Sequence, residues 1–384
     1  MHPPHHITTL APLAWLMLAP GAAWAQAPET SKQLTAQFGT GVEVDTNALR
    51  EGAINENVGE AASGETQAVD ESADFVPVVS GLARTFASLE LTVPASPRAR
   101  FNLEASAGGK VFFAEDAAGA DVAISQAAAR YTRRLGQSPF RLGASLDIKD
   151  RTERTSRFDY TRSSTALHAG LGLKRLSLTA SAGWRLFSFK PDPATSSAGG
   201  AASVGARAFL GRGWSVSATG SLSQRRFTTQ RLLTTRDASG LDIVVQDGGL
   251  RRDDLYNASL GVSWRGAAIL DAAYIVLANR SNSQVQDLAR QSLDATLTSP
   301  LAWGTFVSAR VLLQRARFES PLTIDGNFII EEDNRNAAIL SLARPVGESW
   351  ELELKYSLYT QAFGDTNEYS RQLFMFGVGY ALSN

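Results

Sequence analysis

From Trp350 to Leu358 the chain reads Trp-Glu-Leu-Glu-Leu-Lys-Tyr-Ser-Leu, with an apolar residue at every second position. A period of two sorts side chains onto the two faces of a β-strand; a helix, repeating every 3.6 residues, would scatter them. The same alternation predicts sixteen strands, near 34–44, 85–93, 99–107, 122–134, 140–149, 167–173, 178–186, 202–208, 214–222, 256–264, 270–278, 293–297, 307–313, 338–342, 350–358 and 374–382. It is blurred near 122–134, 268–278 and 335–345.

The connections add a second pattern. Those near 94, 136, 174, 211, 265, 300 and 347 are short. The intervening set, near 50–74, 114–121, 150–157, 190–198, 228–249, 279–286, 317–334 and 362–369, is longer and more polar. Asp237-Ala238-Ser239-Gly240 and Asp325-Gly326-Asn327 supply turn residues for hairpins projecting from two of these loops. Short turns on one side and long loops on the other are the asymmetry of outer-membrane barrels, as is an even strand number. The expected fold is therefore all-β: a transmembrane antiparallel β-barrel of about 16 strands, with short periplasmic turns and long outer loops. In lipid every backbone polar group needs a partner, so the last strand should pair with the first.

Tryptophans fit this placement. Trp214, Trp264, Trp303 and Trp350 each lie beside a short turn, and Tyr380 falls in the last strand. Indole and phenol rings favour the membrane interface, so these five residues are expected in an aromatic girdle, with Phe140 as a further member. The competing account, core tryptophans of a soluble β-sandwich, does not call for sixteen amphipathic strands.

Composition removes several function classes. There is no cysteine, hence no disulfide, thiol nucleophile or Cys-based metal site. A net charge of -1 gives no reason to expect nucleic acid. The mean hydropathy of -0.11 excludes a bundle of apolar transmembrane helices, though not a barrel with a polar lumen. Leu10 to Ala23 is apolar but too short to span a bilayer, and Ala23-Trp24-Ala25 offers a small-x-small cleavage pattern. Residues 1–25 are thus expected to be a signal peptide, although their first nine residues carry no Lys or Arg. A short segment over 26–33 and a barrel over 34–384 complete the organisation.

Alternation also nominates lumen residues. Arg84, Arg100, Glu104, Arg141, Asp147, Arg185, Arg207, Arg310, Glu351, Glu353 and Lys355 occupy the polar phase of their strands and are the expected pore lining. Ser357 shares that phase. Glu51, Glu56, Glu60, Glu65, Asp70, Glu71 and Asp74 form an acidic stretch, read either as a solvated loop or as a loop folded against the basic wall. His168, the one histidine beyond the signal region, is read as a polar lumen residue rather than a catalytic base. Ser163 and Ser164 lie near it without a spacing signature. No catalytic residue, metal site or cofactor is expected.

Residues 249–300 carry a family resemblance. Arg251-Arg252-Asp253-Asp254 opens a strand, Tyr274 sits in the next, Arg280-Ser281-Asn282 follows in the outer loop, and the strand Ser292 to Thr298 closes the stretch. These elements resemble the Gram-negative outer-membrane porins of the β-barrel porin 2 group. The last strand also resembles the C-terminal insertion signal of such barrels, departing from it by ending Leu382-Ser383-Asn384 rather than in an aromatic residue. The resemblance implies an outer-membrane barrel of porin type. The expected function is a non-enzymatic, porin-like channel for small hydrophilic solutes. Export of a surface polysaccharide and a plugged structural barrel are the alternatives. Expected partners are outer-membrane lipid, lipopolysaccharide and the barrel-assembly machinery, with a homotrimer left open.

Overall fold

The computed structural model describes residues 32–48, 78–156, 159–236, 239–240, 242–283, 287–318, 336–363 and 367–383. Every stretch of alternation becomes a strand. In chain order they are β1 (Gln33–Asp45), β2 (Ser80–Ser96), β3 (Ala99–Phe112), β4 (Val122–Arg134), β5 (Phe140–Glu153), β6 (Tyr160–Gly172), β7 (Leu176–Phe189) and β8 (Ser197–Gly211). Then follow β9 (Trp214–Arg236), β10 (Asp242–Arg265), β11 (Ile269–Ser281), β12 (Leu288–Pro300), β13 (Phe306–Phe318), β14 (Asn336–Val346), β15 (Trp350–Phe363) and β16 (Asn367–Ser383). Each pairs antiparallel with its sequence neighbours, and β16 pairs with β1 from Thr35–Ser383 to Asp45–Leu373. The sheet is a closed sixteen-stranded barrel. Closure removes both edges, which is what a sheet in lipid requires.

Residues directly opposite on antiparallel strands point to the same face, so the register carries one face around the whole ring. Phe38 faces Ala87 on β2 and Tyr380 on β16, and all three belong to the outer surface. The outer face is a continuous apolar band, with Leu103, Leu146, Leu167, Leu260, Leu313, Leu354 and Phe376 among its exposed side chains. A water-soluble barrel would be poorly hydrated over such an area; hydrocarbon solvates it well.

At the short-turn end, aromatic residues pair across neighbouring strands. Trp214 and Trp264 lie opposite each other with ring centroids 6.0 Å apart, and Trp350 and Tyr380 are 4.7 Å apart. Phe101 and Tyr131, 4.8 Å apart, form a third such pair that alternation alone did not single out. Trp303 sits in a one-turn 3-10 segment with a φ of 59° and is 86% exposed.

Strand lengths differ from the expectation most in β9 and β10, at 23 and 24 residues. A tilted membrane span needs about 9–11 residues. The excess forms a two-stranded arm, paired from Leu232–Gln246 to Arg236–Asp242, which extends the predicted hairpin around Ser239-Gly240. Arg231 Nε donates to both carboxylate oxygens of Asp247 at 2.8 Å, and the Leu232 amide donates to Ser283 Oγ. The second hairpin, around Asp325-Gly326-Asn327, lies outside the described residues, as do residues 1–25 and the acidic stretch 51–74.

One glycine is required by packing. On the inner face Phe86 lies across Gly39, where a Cβ would meet the ring at 1.9 Å. A side chain at position 39 would have to displace that ring.

Candidate functional site

The inner face is the candidate site, because it is where the barrel gathers its charge. All eleven residues nominated from the polar phase alternate with the outer apolar band. Arg84 faces Gly41 and Lys110, Arg100 faces Pro94 and Thr132, and Glu104 faces Glu90 and Ala128. Arg141 faces Arg134 and Gly170, Asp147 faces Ala128 and Ser164, and Arg185 faces Ser164 and Gly199. Arg207 lies between Ser177 and Ser217, and Arg310 between Thr296 and Ile339. Glu351, Glu353 and Lys355 face Pro345, Ala343 and Ser341.

These charges divide into two walls. Strands β3–β8 project Arg100, Arg130, Arg141, Arg162, Arg185 and Arg207, with Glu104 and Asp147 among them. Asp147 accepts a hydrogen bond from Gln126 at 2.9 Å and lies 3.9 Å from Arg162. Across the ring, β10–β16 and β1 hold several acids that are matched by bases. Asp294 holds Arg310 through two bonds of 3.0 and 2.8 Å. Arg251 binds Asp253 at 3.1 and 2.6 Å while its guanidinium lies 4.0 Å from the Phe227 ring. Asp45 accepts from Arg371 Nε at 2.9 and 3.0 Å, and both side chains are almost fully buried. Glu43 takes Lys110 at 3.0 Å and Arg84 at 3.5 Å.

Apolar groups also reach the inner face, which the simple two-face picture missed. Leu312, Ala337, Tyr359 and Leu373 pack together with Ile339, and Leu277 packs with Leu288 and Leu255. Ser357, expected in lumen water, faces Ile339 and Leu373 and is only 1% exposed. It keeps its phase and loses its water, because neighbours on the next strands cover it.

The Arg251-Arg252-Asp253-Asp254 motif has a geometric explanation. A period of two sends Arg251 and Asp253 inward as one ion pair and Arg252 and Asp254 outward as another, 3.3 Å apart. The loop motif docks onto it: Ser281 Oγ donates to Asp253 at 2.6 Å, and the Arg252 amide donates to Asn282 Oδ1 at 2.7 Å. Arg280 lies 3.2 Å from Asp287. An Arg-x-Asp spacing was the available signal for the Arg251 pair. Asp45 and Arg371, far apart in sequence, offered none.

His168 is 2.7 Å from Ser145 Oγ on the adjacent strand, not against Ser163 or Ser164. A hydrolytic triad would need a carboxylate to orient the ring. Base and hydroxyl are adjacent, and no hydrogen bond between this imidazole and a carboxylate occurs among the described residues.

Outside the span, the Arg231–Asp247 pair shows a clear electrostatic effect. The hydrogen bond from Arg231 holds the Asp247 carboxyl below the usual aspartate range, helped by the Gly249 amide.

No family model matches the chain, and no curated protein matches it. Solved structures are similar in shape. The Pseudomonas putida toluene transporter TodX is 10% identical over 96% of this chain and 93% of its own, with a TM-score of 0.39. A bacterial polysaccharide outer membrane secretin is 8% identical over 92% of this chain and 99% of its own, at 0.45. The loop L8 deletion mutant of OmpT, an outer membrane protein of Vibrio cholerae, is 9% identical over 92% and 99%, at 0.43. These likenesses concern barrel architecture.

Proposed function

We propose that the protein is an outer-membrane channel of porin type for passive passage of small hydrophilic solutes, and that it favours anions. The cation-rich wall of β3–β8 is the observation that carries this reading. A sixteen-stranded barrel has the girth for an aqueous passage. Lumen charge sets which ions enter it. The outer apolar band and the Trp214–Trp264 and Trp350–Tyr380 pairs support residence in a bilayer, where lipid and lipopolysaccharide are the expected surroundings. Export through residues 1–25 and insertion by the barrel-assembly machinery belong to the same reading. So does membership of the β-barrel porin 2 group, supported by the way the 251–254 and 280–282 motifs interlock.

Planar-bilayer recording of the purified full-length protein tests it. Stepwise conductance is expected, with a reversal potential in a KCl gradient that reports chloride preference. Absence of single-channel steps, or a cation preference, would sink the proposal.

A further inference from the structure

We infer that the basic wall contains a binding site for a single-ring aromatic carboxylate; this rests on the channel reading and gives it a solute class. Near the long-loop end of β6–β9 the lumen face hollows into a recess of about 170 Å³. Its lining combines Arg162, Arg185 and Arg225 with the Phe187 ring, which is backed by the almost fully buried Tyr160. The two rings are 5.4 Å apart, and Phe189 stacks on Phe187 with centroids 6.5 Å apart. The strand period explains the gathering: Tyr160 and Arg162 alternate inward on β6, as do Arg185 and Phe187 on β7.

Gly199 lets β8 approach β9 closely at the edge of the recess. It lies directly opposite Arg185, and a Cβ there would meet the Gln224 carbonyl oxygen at 1.5 Å. Any other residue would force β8 and β9 apart and reshape the recess. A cavity of roughly 150 Å³ accepts benzene, so this volume suits one ring and its substituent. The chemistry selects the substituent. Guanidinium groups bind carboxylates through paired, charge-assisted hydrogen bonds, and an aromatic wall takes the flat face of a ring. The Nε of Arg162 is buried and makes no hydrogen bond among the described residues, so this side chain has one donor unused. Asp147, 3.9 Å from Arg162, offsets part of the positive field, which favours a monoanion over a polyanion. An aliphatic acid such as acetate would gain the guanidiniums and forgo the rings.

Benzoate and acetate are the probes. Calorimetric titration of benzoate into the detergent-solubilised, full-length protein should give one saturable site, with acetate at least about tenfold weaker. Arg185→Ala should weaken benzoate by about tenfold or more. Phe187→Leu should weaken benzoate while leaving acetate unchanged, a readout that misfolding would not mimic; retained heat-modifiable gel migration verifies that each barrel is folded. Equal affinity for the two acids, no saturable binding, or binding indifferent to Arg185→Ala overturns the site. In bilayers, benzoate should interrupt the current of the parent protein and not of Arg185→Ala. Saturable binding without any conductance would overturn the channel reading instead and leave the site standing.

Discussion

The two lumen walls are built from similar residues to different ends. Along β10–β16 and β1, each named arginine meets a carboxylate: Arg310 with Asp294, Arg251 with Asp253, Arg371 with Asp45. Arg310–Asp294 and Arg371–Asp45 tie neighbouring strands together, while Arg251–Asp253 neutralises charge within β10. Along β3–β8 cations outnumber acids on the described inner face, so the wall keeps a net field. A charge that is matched and desolvated acts on stability; one left in excess at a wet surface acts on whatever passes by.

The largest effect should come from the matched wall. Arg371→Ala leaves the Asp45 carboxylate buried without its counter-charge, held by the Asn47 amide, which costs about 3–5 kcal/mol. Urea unfolding in lipid vesicles should show that loss, and an unchanged midpoint would mean the pair is decorative. Next comes the face opposite both walls. Leu354→Arg puts a charge into the apolar band and should cost about 2–4 kcal/mol, while Glu353→Gln one residue earlier should alter current and barely alter unfolding. Equal damage from both would break the assignment of faces.

A smaller effect belongs to the basic wall. Arg141→Glu with Arg207→Glu should lower anion preference with a smaller change in stability than Arg371→Ala, since both side chains are only half-buried. Reversal potentials measure the first and unfolding midpoints the second. The smallest effect is expected where an ion pair stands in water: Asp247→Asn should modestly speed tryptic cutting at Arg231 and Arg236 and leave the barrel intact. The pH dependence has a definite sign. The folded aspartate value lies below the unfolded one. Its stabilisation is therefore present above the ordinary aspartate range and lost as pH falls through the lowered value. Arm protection that weakened on raising pH from neutral would contradict this.

The sixteen strands were legible because alternation is a direct record of two solvents on two faces. β15 shows it in nine residues. Legibility failed where both faces are apolar. In β11 the inner Ala273, Ile275 and Leu277 interrupt the polar phase because they help line an apolar part of the lumen, and the alternation blurs there. The extra length of β9 and β10 was partly hidden for another reason: beyond the membrane neither face meets lipid, so the period fades while backbone pairing continues. Of the candidate site, alternation supplied the phase of every nominated residue. It did not supply the partners, since Asp45 and Arg371 meet through ring closure. Nor did it supply the recess at Gly199, which depends on how closely β8 approaches β9.

The bond between Asp45 and Arg371 spans almost the whole chain, and so it carries information about time. Asp45 emerges with the first strand and Arg371 with the last. Until β16 arrives, the carboxylate has no guanidinium and must stay hydrated at an open seam. Its desolvation can therefore accompany only the final step of barrel formation, the most non-local and slowest kind of pairing. Dehydration of one carboxylate thus marks completion of the chain: a truncated product lacking β16 keeps its first strand wet and its ring ajar.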